Sequence, residues 1–277
     1  MQKKSVISLI SYDAEYLPNS IASYYNYVDE IVLGLDKDRI TWSKNSFSFD
    51  ESSLWQQLKS IDTDNKISVV EENFHQSDVA IENDNYERNF LKEQCSNDWI
   101  FSFDADEYLV NAKEFFYDFC PLVEKYSKKA DICMTWATPY KQIDDTLLVI
   151  AEHDGTPFFG ENQGIATHKN NTYTYARWSN ISASGSNRIL SPLVAIHWSL
   201  CREKTALHEK IHNIGHSDIV ENDPFYSIWD QVTLENYTQL QDFRTSGLGG
   251  AQWPRLFAIP VSEVNNYIKA NISGAYR

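Results

Sequence analysis

The strongest local chemical feature of the sequence is a group of acidic residues directly after a short apolar run. Residues 99–103 read WIFSF, and Asp104, Asp106 and Glu107 follow at once. Alternate side chains of an extended segment point to opposite sides, so one carboxylate can reach a divalent cation while another reaches a ribose or a metal-bound water. This spacing could therefore hold a cation against a diphosphate. The same acids would also suit the first turn of a helix.

The elements that must position these acids are short β-branched runs that alternate with helix-like segments. Four strands are predicted in the first 103 residues, at 5–11, 30–35, 66–70 and 99–103, and a helix at Glu51–Ile61 with Asp50 as its N-cap. Such alternation predicts a parallel sheet of the nucleotide-binding type. Ligands bind at the carboxyl ends of the strands in these sheets, which brings Glu15, Asp36 and Asp104 to one crevice edge.

The second half of the sequence predicts a different organisation. Residues 153–171 are polar and contain glycine, which predicts a long loop, and short strands of more antiparallel character follow it. Beyond Glu203 the pattern is mostly helical. We expect one domain over residues 1–220, divided into a first half at 1–110 and a second half at 111–220, and then an extension at 221–277.

These residues together resemble the GT-A glycosyltransferases, specifically their family 2-like members. The resemblance rests on the acid near Glu15, on EIVLGLD ending at Asp36, and on ERNFLKEQCSNDWIFSFDADE. It covers the first 110 residues well and residues 130–216 loosely. It implies an α/β fold of the Rossmann-like, nucleotide-diphospho-sugar transferase type. In this fold residues 1–110 would be the nucleotide-sugar-binding half, residues 111–220 the acceptor half, and residues 221–277 a mainly helical C-terminal extension.

The resemblance also implies a reaction and a set of roles. The reaction would be metal-dependent, inverting transfer of a hexose from a nucleotide-sugar donor to a saccharide or lipid-linked saccharide, as in surface polysaccharide biosynthesis. Asp104 and Asp106 would ligate Mn²⁺ or Mg²⁺, Asp36 would hold the base or ribose, and Arg88 would orient the donor, with Glu15 nearby. At the second strand GLDKD replaces the family's commoner D-x-S-x-D turn, which leaves the donor base and sugar open.

Two further roles need residues from the second half of the chain. Many GT-A enzymes present a late histidine to the same cation, and His197, at the end of an apolar run, resembles that residue, although it could simply pack beside Trp198. The acceptor hydroxyl must lose its proton to a nearby base. We expect Asp154 to be this base, followed by Glu152, among the acidic and histidine residues of the polar loop and its approaches: Asp144, Asp145, Glu152, His153, Asp154 and Glu161.

A rival motif lies at residues 208–212, which read HEKIH. This is the HExxH pattern of zinc metallopeptidases, in which two histidines on one helix face bind zinc and the glutamate acts as base. Gly215 and Asp218 even extend the pattern. Methionine occurs only at positions 1 and 134, so no Met-turn can follow, and a peptidase would leave residues 1–110 unexplained. A zinc metallopeptidase and a non-catalytic carbohydrate- or nucleotide-binding module both remain alternatives.

The overall composition limits the kinds of molecule and surface that we expect this protein to bind. The net charge is −15, and no basic patch stands out, so we expect no nucleic-acid partner. The four cysteines are widely spaced in apolar stretches, which is typical of reduced core thiols in a cytoplasmic protein. The apolar run from Val6 to Ile10 is too short for a signal peptide or a spanning helix. Peripheral membrane contact through a lipid-linked acceptor stays open.

Overall fold

A computed structural model describes residues 3–126, 129–213, 225–243 and 252–272. In chain order, its strands are β1 (Lys4–Ile10), β2 (Glu30–Asp36), β3 (Ile67–Glu72), β4 (Trp99–Ser102), β5 (Glu107–Leu109), β6 (Asp131–Ala137), β7 (Pro139–Ile143), β8 (Thr146–Ala151), β9 (Glu161–His168), β10 (Tyr173–Tyr175), β11 (Trp178–Ser179), β12 (Arg188–His197) and β13 (Arg255–Pro260). Its helices are α1 (Leu17–Tyr24), α2 (Glu51–Ile61), α3 (Ala80–Gln94), α4 (Ala112–Glu114), α5 (Cys120–Tyr126), α6 (Lys204–Asn213), α7 (Phe225–Gln231) and α8 (Val264–Ala270).

The largest sheet is mixed and has the strand order β3-β2-β1-β4-β9-β6-β12-β5. Strands β3, β2, β1 and β4 run parallel, so their carboxyl ends share one edge. All seven residues of β1 are buried, because helices cover both faces of a parallel sheet and its central strands need apolar residues on both sides. The predicted α/β class and the four predicted parallel strands are confirmed, and the acidic run of residues 104–107 leaves the sheet at β4.

The helix predicted after β2 begins where its cap was expected. Asp50 accepts a hydrogen bond from the Ser53 amide at 2.9 Å, and α2 begins at the next residue. Further along, α4 continues through a π-helical segment, Phe115–Phe119, into α5. Phe115 and Phe116 in this segment are fully buried and pack edge-on against Phe101 of β4. Aromatic packing therefore fixes the strand that leads into the acidic run.

The long loop predicted at 153–171 is wrong at Glu161–His168, which form β9. This strand lies between β4 and β6 and is antiparallel to both. Its glycine is required by a close approach: a Cβ at Gly164 would lie 2.7 Å from the carbonyl oxygen of Arg177. β9 therefore joins the two halves of the sheet and brings Glu161 close to the parallel half.

The mainly helical C-terminal extension is not confirmed. Residues 225–243 and 252–272 contain α7 and α8, but they also contain β13, which pairs antiparallel with β8 along its whole length. β13, β8 and β7 form a separate three-stranded sheet, whose apolar face includes Leu148, Ile150 and Leu256. The last part of the chain thus packs on the β7–β8 hairpin. In the part of the chain described here, no helix is both long enough and apolar enough to cross a membrane.

Candidate active site

A cavity of about 360 Å³ opens at the carboxyl ends of β1, β2 and β4. Residues from both halves of the main sheet line it, and α3 and α6 close its sides. The charged, imidazole and amide side chains among its lining residues are Asp13, Asp36, Asp84, Glu87, Arg88, Asp104, Asp106, Glu161, Gln163, Arg177, His197, Lys210 and Asn213. The cavity lies where the strand order of the parallel sheet reverses, which is the usual ligand site of such sheets.

Asp104 lies at the floor of the cavity and is held by two arginines. Arg88 of α3 donates to Asp104 Oδ1 at 2.9 Å, and a terminal nitrogen of Arg177 lies 3.9 Å from Asp104 Oδ2. Burial opposes ionisation of this carboxyl, but Arg88 and Arg177 together lower its pKa to about 2. About a third of its side chain is exposed to the cavity. Asp104 is therefore ionised and accessible.

Asp106 is fully buried and carries two cations on one oxygen. Arg202 and Lys210 both donate to Oδ2, Lys210 at 2.6 Å, and Arg202 also donates to Asp13 at 3.0 Å. Although burial opposes ionisation, the two cations hold the pKa of Asp106 well below its usual value. Its other oxygen, Oδ1, is buried without a hydrogen-bond partner. An unsatisfied carboxylate oxygen inside a polar cavity indicates a position for a further positive group.

His197 supplies a second donor atom beside this oxygen. Its Nε2 lies 3.8 Å from Asp106 Oδ1, which is too far for a hydrogen bond. Burial lowers the pKa of His197 to about 3, so the ring is neutral and its lone pair can bind a metal. A carboxylate oxygen and an imidazole nitrogen can bind Mn²⁺, and they suit it better than Mg²⁺, which prefers oxygen ligands. Asp104 does not join them in this conformation: no group of close donor atoms in the described residues combines Asp104, Asp106 and His197.

The positions of Asp36 and Glu15 correct two predictions. Asp36 lines the cavity, but its two oxygens already accept four hydrogen bonds, which is the full capacity of a carboxylate. Their donors are the amides of Asp38, Ile40 and Phe74 and the ring of His75. In this conformation Asp36 shapes the loops around the cavity through contacts with the protein itself. Glu15 is exposed and lies outside the lining, where Asp13 takes the place expected for it.

The two residues predicted as the base also lie outside the cavity lining. Asp154 is exposed and accepts hydrogen bonds from the amide and hydroxyl of Thr156, as expected of an Asx-turn. Glu152 precedes it in the same turn and does not line the cavity either. Glu161, the last of the predicted candidates, does line it and accepts from the Trp253 indole at 3.1 Å. Of the six residues considered as the base, Glu161 is thus the one that lines this cavity.

Three cationic side chains of the site were not predicted from the sequence. Arg177 lies in the turn between β10 and β11, Arg202 follows β12, and Lys210 belongs to the HEKIH segment. Each meets an acid of the 104–107 run from 70 to 104 residues away along the chain. Long-range pairing of this kind depends on the order of the strands, which no local pattern encodes.

The peptidase motif finds no support in the described residues. His208, Glu209 and His212 lie on α6, where Glu209 and His212 are exposed and His212 Nδ1 lies 2.7 Å from the His208 carbonyl oxygen. Gly215 and Asp218 lie outside the described residues. The single three-ligand cluster that the described ranges contain is Asp36, Asp38 and His75, at the rim of the cavity.

Several solved structures resemble this chain at low identity. S. aureus TarS 1–349 matches with a TM-score of 0.40 and 11% identity, over 83% of this chain and 68% of that one. A longer S. aureus TarS structure matches over 85% of this chain but only 46% of that one, with a TM-score of 0.37. The inositol-1-phosphate CTP transferase of T. maritima matches with a TM-score of 0.38 and 10% identity, over 78% and 97%. No family model and no curated protein matches the sequence. Likenesses this distant imply nothing about the chemistry of the cavity.

Proposed function

We propose that this protein is a metal-dependent glycosyltransferase that moves a sugar from a nucleotide-sugar to a saccharide or lipid-linked saccharide. The observation that carries the proposal is the 104–107 acidic run at the carboxyl end of β4, inside a cavity that four cations also line or border. A diphosphate is the ligand that needs acids for its metal and cations for its own charge. Synthesis of a surface polysaccharide in the reducing cytoplasm, where the four free, buried cysteines would persist, is the setting we propose.

The donor would lie with its diphosphate over Asp104 and Asp106. Asp106 Oδ1 and His197 Nε2 would hold Mn²⁺ or Mg²⁺, and Asp104 would join them once its carboxylate turns from Arg88. When bound, the metal supplies positive charge that stabilises the departing nucleoside diphosphate. Arg88 and Arg177, both buried, keep Asp104 ionised and oriented before the donor arrives.

The acceptor would enter from the side of β6 and β9. Its hydroxyl oxygen forms a bond to the anomeric carbon while the bond from that carbon to the diphosphate oxygen breaks. Glu161 takes the hydroxyl proton, and the nucleoside diphosphate leaves with the electrons of the broken bond. Trp136 pairs with Glu161 in the sheet, and its ring lies against that of His197 with centroids 3.9 Å apart and a tilt of 34°, so one aromatic wall connects the acceptor side to the metal ligand. A single displacement of this kind inverts the anomeric centre.

The proposal is tested by incubating the purified protein with a panel of nucleotide-sugars, Mn²⁺ and saccharide acceptors. We expect release of a nucleoside diphosphate from one donor, and loss of that release in Asp106→Asn and Asp104→Asn. Asp78→Asn is the matched control, because Asp78 is exposed and its side chain pairs with Lys44 outside the cavity. Release of pyrophosphate from a nucleoside triphosphate would contradict glycosyl transfer and indicate nucleotidyl transfer. Binding without turnover of any donor would favour the non-catalytic module.

A further inference from the structure

We propose that Lys210 is a placeholder cation, which bonds to Asp106 Oδ2 in the metal-free protein and moves to the donor diphosphate when a divalent cation binds the same carboxylate. The inference rests on the proposed function and adds to it a residue that couples metal binding to donor binding. It also gives a role to the lysine of the HEKIH segment, which the peptidase interpretation left without one.

The first argument is that the two oxygens of the Asp106 carboxylate have different surroundings. Both cations, Arg202 and Lys210, bond to Oδ2, while Oδ1 is buried with no hydrogen-bond partner and faces His197 across 3.8 Å. Two positive groups on one oxygen leave one cation in excess, and Arg202 finds a second acid in Asp13. Lys210 has no second acid among the described residues. It is therefore the cation that Asp106 can release most easily.

The second argument is that the side chain of Lys210 is more accessible than those of Asp106 and Arg202. The side chain of Asp106 is 1% exposed and that of Arg202 is also 1% exposed, whereas that of Lys210 is 12% exposed. Lys210 lines the cavity and is more exposed than the carboxylate that it contacts. A metal ion at Asp106 Oδ1 would be repelled by the ammonium group on Oδ2, so movement of that group favours metal binding. Because the lysine side chain has four rotatable bonds, a change of rotamer can achieve this without any movement of α6.

The third argument is the anchoring of the helix itself. Asn213 at the end of α6 accepts hydrogen bonds from Thr41 at 2.8 Å and from Asn45 at 3.0 Å. Both partners belong to the loop after β2, on the opposite side of the cavity from β12. The helix is thus tied at its end to the far wall, and Lys210 stays within reach of both Asp106 and a ligand in the cavity. The released ammonium group would then bond to a phosphate oxygen.

Competition for Asp106 and attraction to phosphate predict effects of opposite sign. Lys210 must weaken the binding of Mn²⁺ to the metal-free protein, because its positive charge on Oδ2 repels a cation at Oδ1 of the same carboxylate. The same residue must strengthen the binding of a diphosphate to the metal-loaded protein. Metal and diphosphate consequently bind with positive coupling, which must be reciprocal between the two ligands.

The test is calorimetric titration of the whole chain with Mn²⁺ alone, and then with inorganic pyrophosphate and UDP at saturating Mn²⁺. For Lys210→Met we expect Mn²⁺ alone to bind at least about 3-fold tighter and pyrophosphate to bind about 10-fold weaker, in line with coupling energies between neighbouring sites. Lys210→Arg should restore wild-type pyrophosphate binding. Lys204→Met is the matched control on the same helix, because Lys204 is exposed and pairs with Asp230 at 2.8 Å, and it should change neither affinity.

Two results would overturn the inference, and a third would contradict the proposed function as well. If Lys210→Met leaves both affinities unchanged, or changes only one of them, Lys210 does not exchange partners. If both affinities fall together, the lysine supports the structure of the site and does not compete with the metal. If the wild-type protein binds neither Mn²⁺ nor pyrophosphate nor UDP, the proposed function itself fails. Thermal melting of each variant verifies that it is folded.

Discussion

Arg177 and Glu107 are joined by two parallel hydrogen bonds of 2.6 Å, and both side chains are almost completely buried. The pair connects the turn between β10 and β11 to the acidic run after β4. Arg177 also donates to the Ser102 carbonyl at 3.1 Å and lies over the Trp136 ring, 5.4 Å from its centroid. This bidentate pair holds the backbone of the acidic run in place, so that Asp104 and Asp106 face the cavity.

Removing the arginine of this pair should mainly lower the free energy of unfolding. Arg177→Met leaves the Glu107 carboxylate buried and unpaired, which costs about 3–5 kcal/mol of unfolding free energy for a pair of this kind. Urea denaturation followed by circular dichroism measures the change. The double variant Arg177→Met with Glu107→Gln should recover part of the loss, because no charge is then stranded. A loss below about 1 kcal/mol in the single variant would show that the pair is not structural.

Glu87 should make the stability of the protein depend on pH. Burial raises the pKa of this carboxyl to about 8, and the Trp42 indole donates to it at 2.7 Å. The folded state thus keeps a proton that the unfolded state loses above its ordinary carboxyl pKa. Stability from this group is complete below the unfolded pKa and is lost as the pH rises through about 8.

The measurement for this prediction is the melting temperature of the wild type and of Glu87→Gln between pH 4 and pH 9. The wild-type melting temperature should fall relative to that of the variant as the pH rises, because glutamine does not titrate. Parallel profiles across the range would contradict a raised pKa at Glu87. Glu82→Gln, on the same helix, is the control; Glu82 is exposed and hydrogen-bonds Ser77.

Glu161 should be required for transfer and not for donor binding. Loss of a general base lowers the rate by about 10²–10⁴-fold, so Glu161→Gln should reduce kcat by this factor while the affinity for the nucleoside diphosphate stays within about 2-fold. Initial rates with the donor found in the panel, and calorimetry with its diphosphate, give the two values. Glu152→Gln and Asp154→Asn should retain the wild-type rate. A wild-type rate in Glu161→Gln would remove Glu161 from the mechanism.

Sequence patterns predicted the parallel half of this fold because its signals are local. β1, β2 and β4 are continuous apolar runs, and the cap at Asp50 needs only its own helix to form. β9 escaped prediction because its sequence, ENQGIATH, carries polar residues and a glycine. Its strand conformation depends on two partners, β4 and β6, that lie far away in the sequence.

The residues of the candidate site also divide into those that local sequence patterns predict and those that they do not. Asp104, Asp106 and Arg88 stand next to recognisable elements, and the structure brings these three predicted residues to one cavity together with His197. The partners of the two aspartates were not predictable, because Arg202 and Lys210 reach Asp106 only through the order of the strands. The error at Asp154 follows from β9: a loop prediction over residues 153–171 gave no reason to separate Glu161 from the exposed turn.

The most direct test of the account is calorimetric titration of the protein with UDP, GDP, CDP and ADP, with Mn²⁺ and with a chelator. We expect one of these nucleoside diphosphates to bind at least about 100-fold more weakly without the metal, a loss of about 2.7 kcal/mol. The binding should disappear in Asp106→Asn and persist in Asp78→Asn. Equal affinity with and without the metal, or wild-type affinity in a folded Asp106→Asn, would contradict the claim that Asp106 holds a cation against a diphosphate.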